Sequence, residues 1–330
     1  MEKQPIIEFK GVTKRFDVRT ILDKVDFQIY EGEVTTLIGL SGTGKSVTLK
    51  HIIGLLKPDE GQVLYRGQPI DKMSKKEWSE YIGQISYMFQ NNALFDSMTV
   101  FENVALPLRQ TTKLGKKEIG EKVMASIQQT ELTEVFDKYP SELSGGMQKR
   151  AALARALVTD PSLVLFDEPT TGLDPRSRLG MWEVIRALVR EGTTLLLTTQ
   201  YLEEADELAQ DIVVIDHGRV IAHGTASQLK RQVGGERIEV HLHRTEDIPF
   251  VEAVLARHGE GDIAVGATTR HLSVAAGGGS EKLFGVFREL DEAGIAVDDS
   301  GMRRPTLDDV FLSLTGHVAV EDEALETTLI

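Results

Sequence analysis

Residues 39–46 have the residue types and spacing of a phosphate-binding loop. They fit the pattern of a glycine, four variable residues, then glycine, lysine and serine, and they lie between a predicted strand and a predicted helix. The glycines allow backbone N–H groups to point at phosphates near a helix N-terminus, which favours anions. Lys45 can reach the β- and γ-phosphates, and Ser46 can ligate Mg²⁺. The loop therefore predicts a nucleoside triphosphate site, against the alternative of a glycine-rich turn.

Two adjacent carboxylates, Asp167 and Glu168, follow the apolar residues 163–166. Because successive side chains of a strand point to opposite faces, one carboxylate can hold a Mg²⁺ shell while the other faces an attacking water. An isolated Asp-Glu-Pro sequence would more simply be a solvated turn. The position after a buried strand, downstream of the phosphate loop, favours the catalytic interpretation.

The sequence Leu143-Ser144-Gly145-Gly146-Met147 precedes a helix predicted over residues 147–157. Its serine hydroxyl and its glycine N–H groups can bind a phosphate at the helix N-terminus. The alternative is a plain N-cap, because serine is a preferred capping residue. The two interpretations are compatible with each other.

Apolar periodicity predicts the elements that position these residues. Antiparallel edge strands are expected at 6–9 and 25–29, and a buried strand at 33–38 leads into the phosphate loop. A helix over 46–56 should end near Pro58. Apolar runs at 163–166 and 194–197 predict a parallel sheet, and residues 84–160 a helical subdomain.

Beyond Gln232 the pattern restarts as strand, helix, two strands, helix, strand and helix. This order predicts a small ferredoxin-like α+β domain. Its expected strands lie at 238–242, near Ala264, near Leu272 and at 295–297, and its helices at 249–258, 281–293 and 306–314. We therefore expect an α/β nucleotide-binding domain at 1–233, an accessory α+β domain at 234–317 and an acidic flexible tail at 318–330.

Composition narrows the class of protein. The 330 residues include no cysteine, which excludes disulfides and thiolate metal sites and is compatible with a reducing compartment. We find no apolar run of bilayer length and no N-terminal export pattern, which predicts a soluble cytosolic chain. Residues 1–160 hold 22 basic and 21 acidic residues, whereas residues 161–330 hold 15 and 30. The acidic second half disfavours nucleic acid as a partner.

The three motifs, in this order, closely resemble those of the ATP-binding cassette (ABC) family. The resemblance implies a P-loop α/β fold with a helical subdomain, with ATP and Mg²⁺ as cofactors and Glu168 as the general base. It implies a dimer in which each ATP lies between Lys45 of one subunit and Ser144 of the other. It also implies integral membrane permease subunits as partners, and a location at the cytoplasmic face of the membrane.

The same resemblance assigns further site residues. Gln90 matches the Q-loop, where it would touch Mg²⁺ and the attacking water, and Ser46 and Asp167 would complete the metal shell. Phe16 would stack on adenine, although an edge aromatic is an equally good interpretation, and Asp174 matches the D-loop at the dimer interface. The nucleotide-binding residues implied are Phe16, Gly39, Ser41, Gly42, Thr43, Gly44, Lys45, Ser46, Val47, Ser144, Gly145, Gly146 and Asp174.

Gln200 departs from the family pattern, which usually has a histidine at this position. A glutamine amide can donate a hydrogen bond, but it cannot carry charge or move a proton. We expect hydrolysis to survive with Glu168 as base, and Gln200 and Gln90 as the other catalytic residues.

The two halves resemble different subfamilies. Residues 6–170 resemble the Mla-type phospholipid (toluene-tolerance) ATPases, through residues 38–46, 89–100 and 103–108. Residues 171–317 resemble the daunorubicin-resistance drug-export ATPases, through residues 174–178, 198–206 and 304–311, and Gln200 is usual there. Basic residue usage also changes, from 16 Lys and 6 Arg in residues 1–160 to 2 Lys and 13 Arg in residues 161–330.

These two changes suggest a chimera joined near residues 167–172, with a single divergent lineage as the alternative. Close full-length relatives that contain both parts would refute the junction. The permease-facing helical subdomain lies in the phospholipid-type part, so we expect phospholipid or another hydrophobic cargo, with drug export as the alternative.

Other classes fit less well. Cassette proteins of translation carry two cassettes, and those of DNA repair contain a long coiled coil, and neither feature is present in the sequence. P-loop kinases and GTPases would lack a motif like the one at residues 143–148. A binding module without hydrolysis is disfavoured because Lys45, Asp167 and Glu168 are all present.

Overall fold

The computed structural model describes residues 4–232, 236–266, 270–276 and 280–315. The chain divides into two compact units between Ala226 and Ser227, a few residues before the predicted boundary at 233/234. The predicted tail at 318–330 lies outside the described residues. Within the described ranges, no helix combines the length and apolar character needed to cross a membrane.

Strands and helices are numbered in chain order. The strands of the first unit are β1 Pro5–Phe16, β2 Arg19–Tyr30, β3 Val34–Ile38, β4 Glu60–Tyr65, β5 Gln68–Pro69, β6 Ile85–Met88, β7 Leu163–Asp167, β8 Thr194–Thr199, β9 Asp211–Asp216 and β10 Arg219–Gly224. Its helices are α1 Lys45–Ile52, α2 Lys75–Ile82, α3 Val100–Thr111, α4 Lys116–Gln129, α5 Gly145–Leu157, α6 Pro175–Arg190 and α7 Leu202–Leu208. Helix α8, Ala226–Gln232, crosses the division between the units.

Two sheets form the framework of the first unit. An antiparallel sheet has the strand order β2-β1-β4-β5, and a six-stranded sheet has the order β10-β9-β3-β8-β7-β6. In the larger sheet β9, β3, β8, β7 and β6 are parallel, and β10 closes it as an antiparallel hairpin. The predicted parallel sheet with an antiparallel edge is confirmed. Because β3, β7 and β8 are parallel neighbours, the residues that follow them meet at one edge of the sheet.

Apolar residues pack between the two sheets, where the rings of Phe9 and Phe27 stack with centroids 4.5 Å apart. A separate core lies among α3, α4 and α5. The predicted helical subdomain at 84–160 needs one correction, because its first residues form β6, which pairs in parallel with β7. These residues were hard to recognise because Ile85, Ser86 and Tyr87 are only half-buried and do not alternate clearly.

Helix α1 ends at Ile52, earlier than the predicted residue 56. Gly54 adopts φ of 68°, in the left-handed region that glycine populates readily, and its N–H donates to the His51 carbonyl at 3.1 Å. A Cβ on Gly54 would lie 2.3 Å from the ring of Trp78. Gly54 therefore ends the helix before Pro58 can.

The second unit has its own sheet and core. Its strands are β11 Arg237–Leu242, β12 Glu260–Gly266, β13 His271–Ala275 and β14 Val297–Arg303, and its helices are α9 Ile248–His258, α10 Ser280–Glu292 and α11 Leu307–Thr315. The strand order β12-β13-β11-β14 with antiparallel pairing is the predicted ferredoxin-like arrangement. The last strand begins at Val297, where the predicted strand at 295–297 ends.

Candidate functional site

A pocket of about 360 Å³ lies beside the phosphate-binding loop. It brings together nine of the residues predicted from the sequence: Phe16, Ser41, Gly42, Gly44, Lys45, Ser46, Val47, Gln90 and Glu168. The other eight predicted residues are not part of its lining: Gly39, Thr43, Ser144, Gly145, Gly146, Asp167, Asp174 and Gln200. Residues from β1, the loop after β3, α1 and the turns after β6 and β7 thus share one surface.

Two lining residues, Arg19 and Ile21, were not predicted. Arg19 opens β2 and pairs in register with Phe16 across a two-residue turn. The alternation of the flanking strands could have indicated this hairpin, and Arg19 would then have been placed beside Phe16. Phe16 itself is 43% exposed at the end of β1, consistent with a ring that is available for stacking.

Glycines give the phosphate-binding loop its path. Gly42 and Gly44 adopt φ of 80° and 110°, and a Cβ on Gly39 would lie 2.3 Å from the Ile215 carbonyl oxygen. The Thr43 hydroxyl donates to the Leu40 carbonyl at 2.8 Å, which explains its place inside the loop rather than in the pocket lining. The loop then enters α1 at Lys45.

Lys45 is buried and directed at the loop and at Glu168. Its ammonium donates to the Gly39 carbonyl at 2.8 Å and lies 3.6 Å from Glu168 Oε1. Burial lowers the pKa of Lys45 because it penalises the charged form, while the negative charges of Glu168 and Asp167 oppose this effect. A buried cation of this kind can pair with phosphate oxygens.

Asp167 ends β7 and faces Ser46. Ser46 Oγ donates to Asp167 Oδ1 at 2.8 Å, and Tyr87 and Thr198 donate to the same carboxylate at 2.8 and 2.9 Å. Burial, together with the nearby Asp167 charge, raises the pKa of Tyr87, which keeps the phenol a donor. Tyr87 and Thr198 were not predicted, because only the pairing of β6, β7 and β8 brings them to Asp167.

The oxygen donors of Ser46 and Asp167 suit Mg²⁺, which prefers oxygen and is commonly held by one or two carboxylates together with substrate phosphates. In the described part of the chain there is no cluster of three or more His, Cys, Asp or Glu side chains that could hold a metal ion.

Glu168 follows Asp167 directly but lies outside β7, in a turn, and its hydrogen-bond partners differ from those of Asp167. It has φ of 49°, a left-handed conformation that costs a non-glycine residue about 1–2 kcal/mol. Its Oε2 accepts hydrogen bonds from Gln90 Nε2 at 2.8 Å and from the Thr171 hydroxyl at 3.2 Å. The strained turn directs this carboxylate into the pocket beside Gln90.

Ser144 caps α5, as the plainer interpretation predicted. Its Oγ accepts a hydrogen bond from the Met147 N–H at 3.3 Å. Ser144 and Gly145 are exposed and do not line the pocket beside the phosphate-binding loop of the same chain. Gly146 is more closely packed, because a Cβ at this position would lie 2.9 Å from Ser177 Oγ of α6. The exposed cap leaves the helix N-terminus available to a ligand.

Asp174 and Gln200 lie at helix and strand ends. Asp174 caps α6 and accepts hydrogen bonds from the Ser177 N–H and hydroxyl at 3.0 and 2.6 Å, and these bonds lower its pKa. Gln200 follows β8, whose Thr198 pairs in register with Asp167. It therefore lies at the same edge of the sheet as the two carboxylates.

Comparisons with known proteins show which family the chain belongs to. A family model described as ABC transporter matches residues 22–171. The chain is 38% identical over 320 residues to the daunorubicin resistance ATP-binding protein DrrA2 of Streptomyces coeruleorubidus, which covers 97% of this chain and 98% of that protein. It is also 38% identical over 227 residues to the intermembrane phospholipid transport system ATP-binding protein MlaF of Haemophilus influenzae, covering 68% of this chain and 86% of that protein.

Solved structures give the same fold for about two thirds of the chain. A dimeric ATP-binding cassette in a post-hydrolysis state, bound to ADP and Pi, superposes with a TM-score of 0.62 at 29% identity, covering 66% of this chain and 98% of that one. The cassette cbiO1 from Clostridium perfringens, part of the cbiONQ transporter complex, gives a TM-score of 0.63 at 29% identity, covering 70% and 95%.

The chimera hypothesis, with a junction near residues 167–172, stays a prediction. The alignment with DrrA2 covers 97% of this chain and therefore includes both parts, and the alignment with MlaF covers 68%. Each relative is 38% identical to the chain, so neither is the close full-length relative that would refute a junction.

Proposed function

The chain belongs to the ABC transporter family as an ATP-hydrolysing subunit, and from this premise we propose that it powers export of a hydrophobic drug-like molecule through separate membrane permease subunits. The observation that carries this cargo class is the similarity to a daunorubicin resistance protein over 97% of the chain. The phospholipid cargo expected from residues 6–170 becomes the second candidate, supported by a relative that covers 68% of the chain.

We place the protein at the cytoplasmic face of the membrane, bound there through the permease. In this arrangement two copies form a head-to-tail dimer around two ATP molecules. Lys45 and the loop N–H groups of one copy hold the phosphates, and the exposed Ser144 and Gly145 of the other copy complete the site. The exposure of this helix N-terminus supports its use between molecules.

Hydrolysis is phosphoryl transfer to water, which depends on positioning and electrostatic stabilisation. Glu168 accepts the proton of the attacking water. Gln90, which donates a hydrogen bond to Glu168 at 2.8 Å, orients the carboxylate and the water. Ser46 and Asp167 would hold Mg²⁺, which would neutralise charge that develops on the phosphate oxygens. Gln200 donates a hydrogen bond to the terminal phosphate from the end of β8.

The test uses the chain copurified with its permease and reconstituted in vesicles. We expect a planar aromatic cation such as daunorubicin to stimulate ATP turnover at least about twofold over the basal rate. Phospholipid composition should change this rate much less. Stimulation by phospholipid without any response to the drug would contradict the drug-export proposal and support the second candidate.

The Glu168→Gln variant controls for the catalytic assignment. It keeps the shape of the side chain and loses the base, so turnover should fall about 100-fold or more, with or without drug. The exposed residue Glu183 of α6 provides the matched substitution, Glu183→Gln, which should retain the wild-type rate. Unchanged turnover in Glu168→Gln would exclude Glu168 as the base.

A further inference from the structure

Lys149 is a buried cation that joins α5 to the catalytic carboxylate. It is only 5% exposed, and its Nζ donates to the backbone carbonyl of Gln90 at 2.6 Å and to that of Glu168 at 3.3 Å. Burial lowers its pKa, while the charges of Glu168, Asp167 and Glu204 favour the charged form. One side chain thus binds the backbone of the two residues whose side chains face the attacking water in the proposed mechanism.

Arg155, on the same helix, holds the next part of the same loop. Its two terminal nitrogens donate to the carbonyls of Asn92 and Ala93, each at 2.6 Å. Both of these residues adopt left-handed φ values, 60° and 48°. Asparagine adopts this conformation readily, whereas Ala93 holds it only when its surroundings impose it. Lys149 and Arg155 therefore fix residues 90–93 to α5 through three carbonyls, using charge-assisted hydrogen bonds.

Helix α5 packs into two cores of the first unit and links its N-terminal cap to Lys149. Ala152, Leu153 and Leu157 pack into the core beside β7 and α6. Ala151 and Ala154 pack into the core with α3 and α4. A helix rises about 1.5 Å per residue, so Lys149 lies within about 8 Å of the cap at Ser144 along the axis. A displacement of the cap is therefore transmitted to the carbonyls of Gln90 and Glu168.

We propose that Lys149 and Arg155 are positioning residues that couple the two ATP sites of the dimer, by tying the helix that caps the partner's nucleotide to the Q-loop and the catalytic carboxylate of its own subunit. The proposal rests on the head-to-tail dimer of the proposed function. Ser144 senses one ATP, and Lys149 places Glu168 and Gln90 on the other. Each site is then fully assembled only when both ATP molecules are bound.

A purely structural role predicts something different. Lys149 could simply satisfy two buried carbonyls, in which case its loss would lower stability and activity without changing how the two sites respond to each other. The Hill coefficient of turnover against ATP concentration separates these roles, because it reports communication between sites rather than the rate of either.

The experiment measures kcat, the half-saturating ATP concentration and the Hill coefficient in the full chain. Wild-type turnover should show a Hill coefficient between 1 and about 2, as for two coupled sites. Lys149→Met should lower kcat about tenfold or more and bring the Hill coefficient to about 1, because the charged hydrogen bonds are lost. Half-saturation should change less than about threefold, since the side chain lies outside the pocket lining.

Three further variants sharpen the comparison. Lys149→Arg keeps the charge and should restore most of the cooperativity. Arg155→Met should shift the Hill coefficient in the same direction, which keeps the proposal testable if Lys149→Met does not fold. Lys122→Met makes the identical change at an exposed site on α4 and should behave as wild type.

A wild-type Hill coefficient in both Lys149→Met and Arg155→Met would overturn the coupling, whatever their rates. A separate arm tests the dimer alone, since Glu168→Gln should convert from monomer to dimer on gel filtration when ATP and Mg²⁺ are added. Failure of that arm would overturn the dimer and the coupling together. A dimer that forms normally, combined with unchanged cooperativity in the variants, would overturn the coupling only.

Discussion

Gln200 is the residue at which the site departs most from the family pattern. Its position after β8 places it at the same edge of the sheet as Asp167 and Glu168. Gln200→Ala removes one hydrogen bond to a charged phosphate, which typically contributes about 1.5–3 kcal/mol, so turnover should fall about tenfold or more. Steady-state ATPase assays at saturating ATP measure this fall. Turnover equal to that of the parent would remove Gln200 from the active site.

Gln200→His introduces a side chain that can carry charge and move a proton, which the glutamine amide cannot do. An imidazole titrates near pH 6.5, so the variant should remain active and gain a rise or fall in kcat between about pH 5.5 and 7.5 that the parent does not show. A pH profile indistinguishable from that of the parent would mean that the side chain does not approach the phosphate.

Local motifs identified most of the individual site residues. Residues 39–47 come from one continuous stretch, and Asp167 with Glu168 from another, so their spacing alone indicates phosphate and metal chemistry. Tyr87 and Thr198, which hold Asp167, could not be found in this way. Their contacts depend on the register of β6 and β8 against β7, which no local pattern specifies.

At the scale of elements, Glu204 joins α7 to α6. It lies fully buried on α7, and its Oε1 accepts a hydrogen bond from Trp182 Nε1 of α6 at 2.9 Å. Burial raises the pKa of Glu204, partly offset by the hydroxyls of Thr199 and Thr170 and by the positive charge of Arg178. Thr199 precedes Gln200, and Thr170 follows the catalytic turn.

The raised pKa gives stability a defined pH dependence. The folded state binds this proton more tightly than the unfolded state, so the contribution of Glu204 is fully present below its ordinary pKa of 4.5 and is lost as pH rises through the higher folded-state value. Glu204→Gln keeps the Trp182 hydrogen bond without the charge. The Tm of the variant minus the Tm of the parent should therefore increase by about 2 °C or more between pH 4.5 and pH 8.

Thermal denaturation followed by circular dichroism at several pH values measures this difference. Glu203→Gln, an exposed change on the same helix, should show a constant Tm difference from the parent. A constant difference in Glu204→Gln as well would mean that the buried carboxyl does not titrate differently on folding.

Elements with a clear apolar pattern were predicted correctly from the sequence. For strands that are defined only by backbone pairing with a neighbour, the predicted bounds were wrong. The parallel strands read as continuous apolar runs because both of their faces are buried. In β14 the sequence Val297-Asp298-Asp299-Ser300-Gly301 shows no apolar alternation, yet its backbone pairs with β11. Helix α1 ended early because a local glycine conformation outweighed the more distant proline.

At the scale of the whole molecule, the change in composition along the chain does not coincide with the change in fold. The net charge and the Lys/Arg usage shift near residue 160, inside the first unit, whereas the structural division lies at 226/227. The six-stranded sheet draws β7 from one side of the expected junction and β8 from the other, paired in register over five positions. A junction would therefore have had to preserve this pairing, whereas a single lineage retains it directly.

Each unit has its own hydrophobic core, and this makes a prediction for unfolding. The core of the second unit is formed by residues of β11, β13, α9 and α10. The residues that line the pocket all belong to the first unit. A ligand stabilises only the folded unit that binds it, by about 2.7 kcal/mol at a concentration 100 times its Kd. Nucleotide should therefore act on one unfolding transition and leave the other unchanged.

Differential scanning calorimetry of Glu168→Gln, which keeps ATP intact during the scan, should show two transitions. Adding ATP and Mg²⁺ should raise the Tm of one by several degrees and leave the other within about 1 °C. Lys45→Ala in the same background removes the buried phosphate partner and should abolish the shift without moving the second transition. A single transition that moves as a whole with ATP would show that the two cores unfold as one cooperative unit.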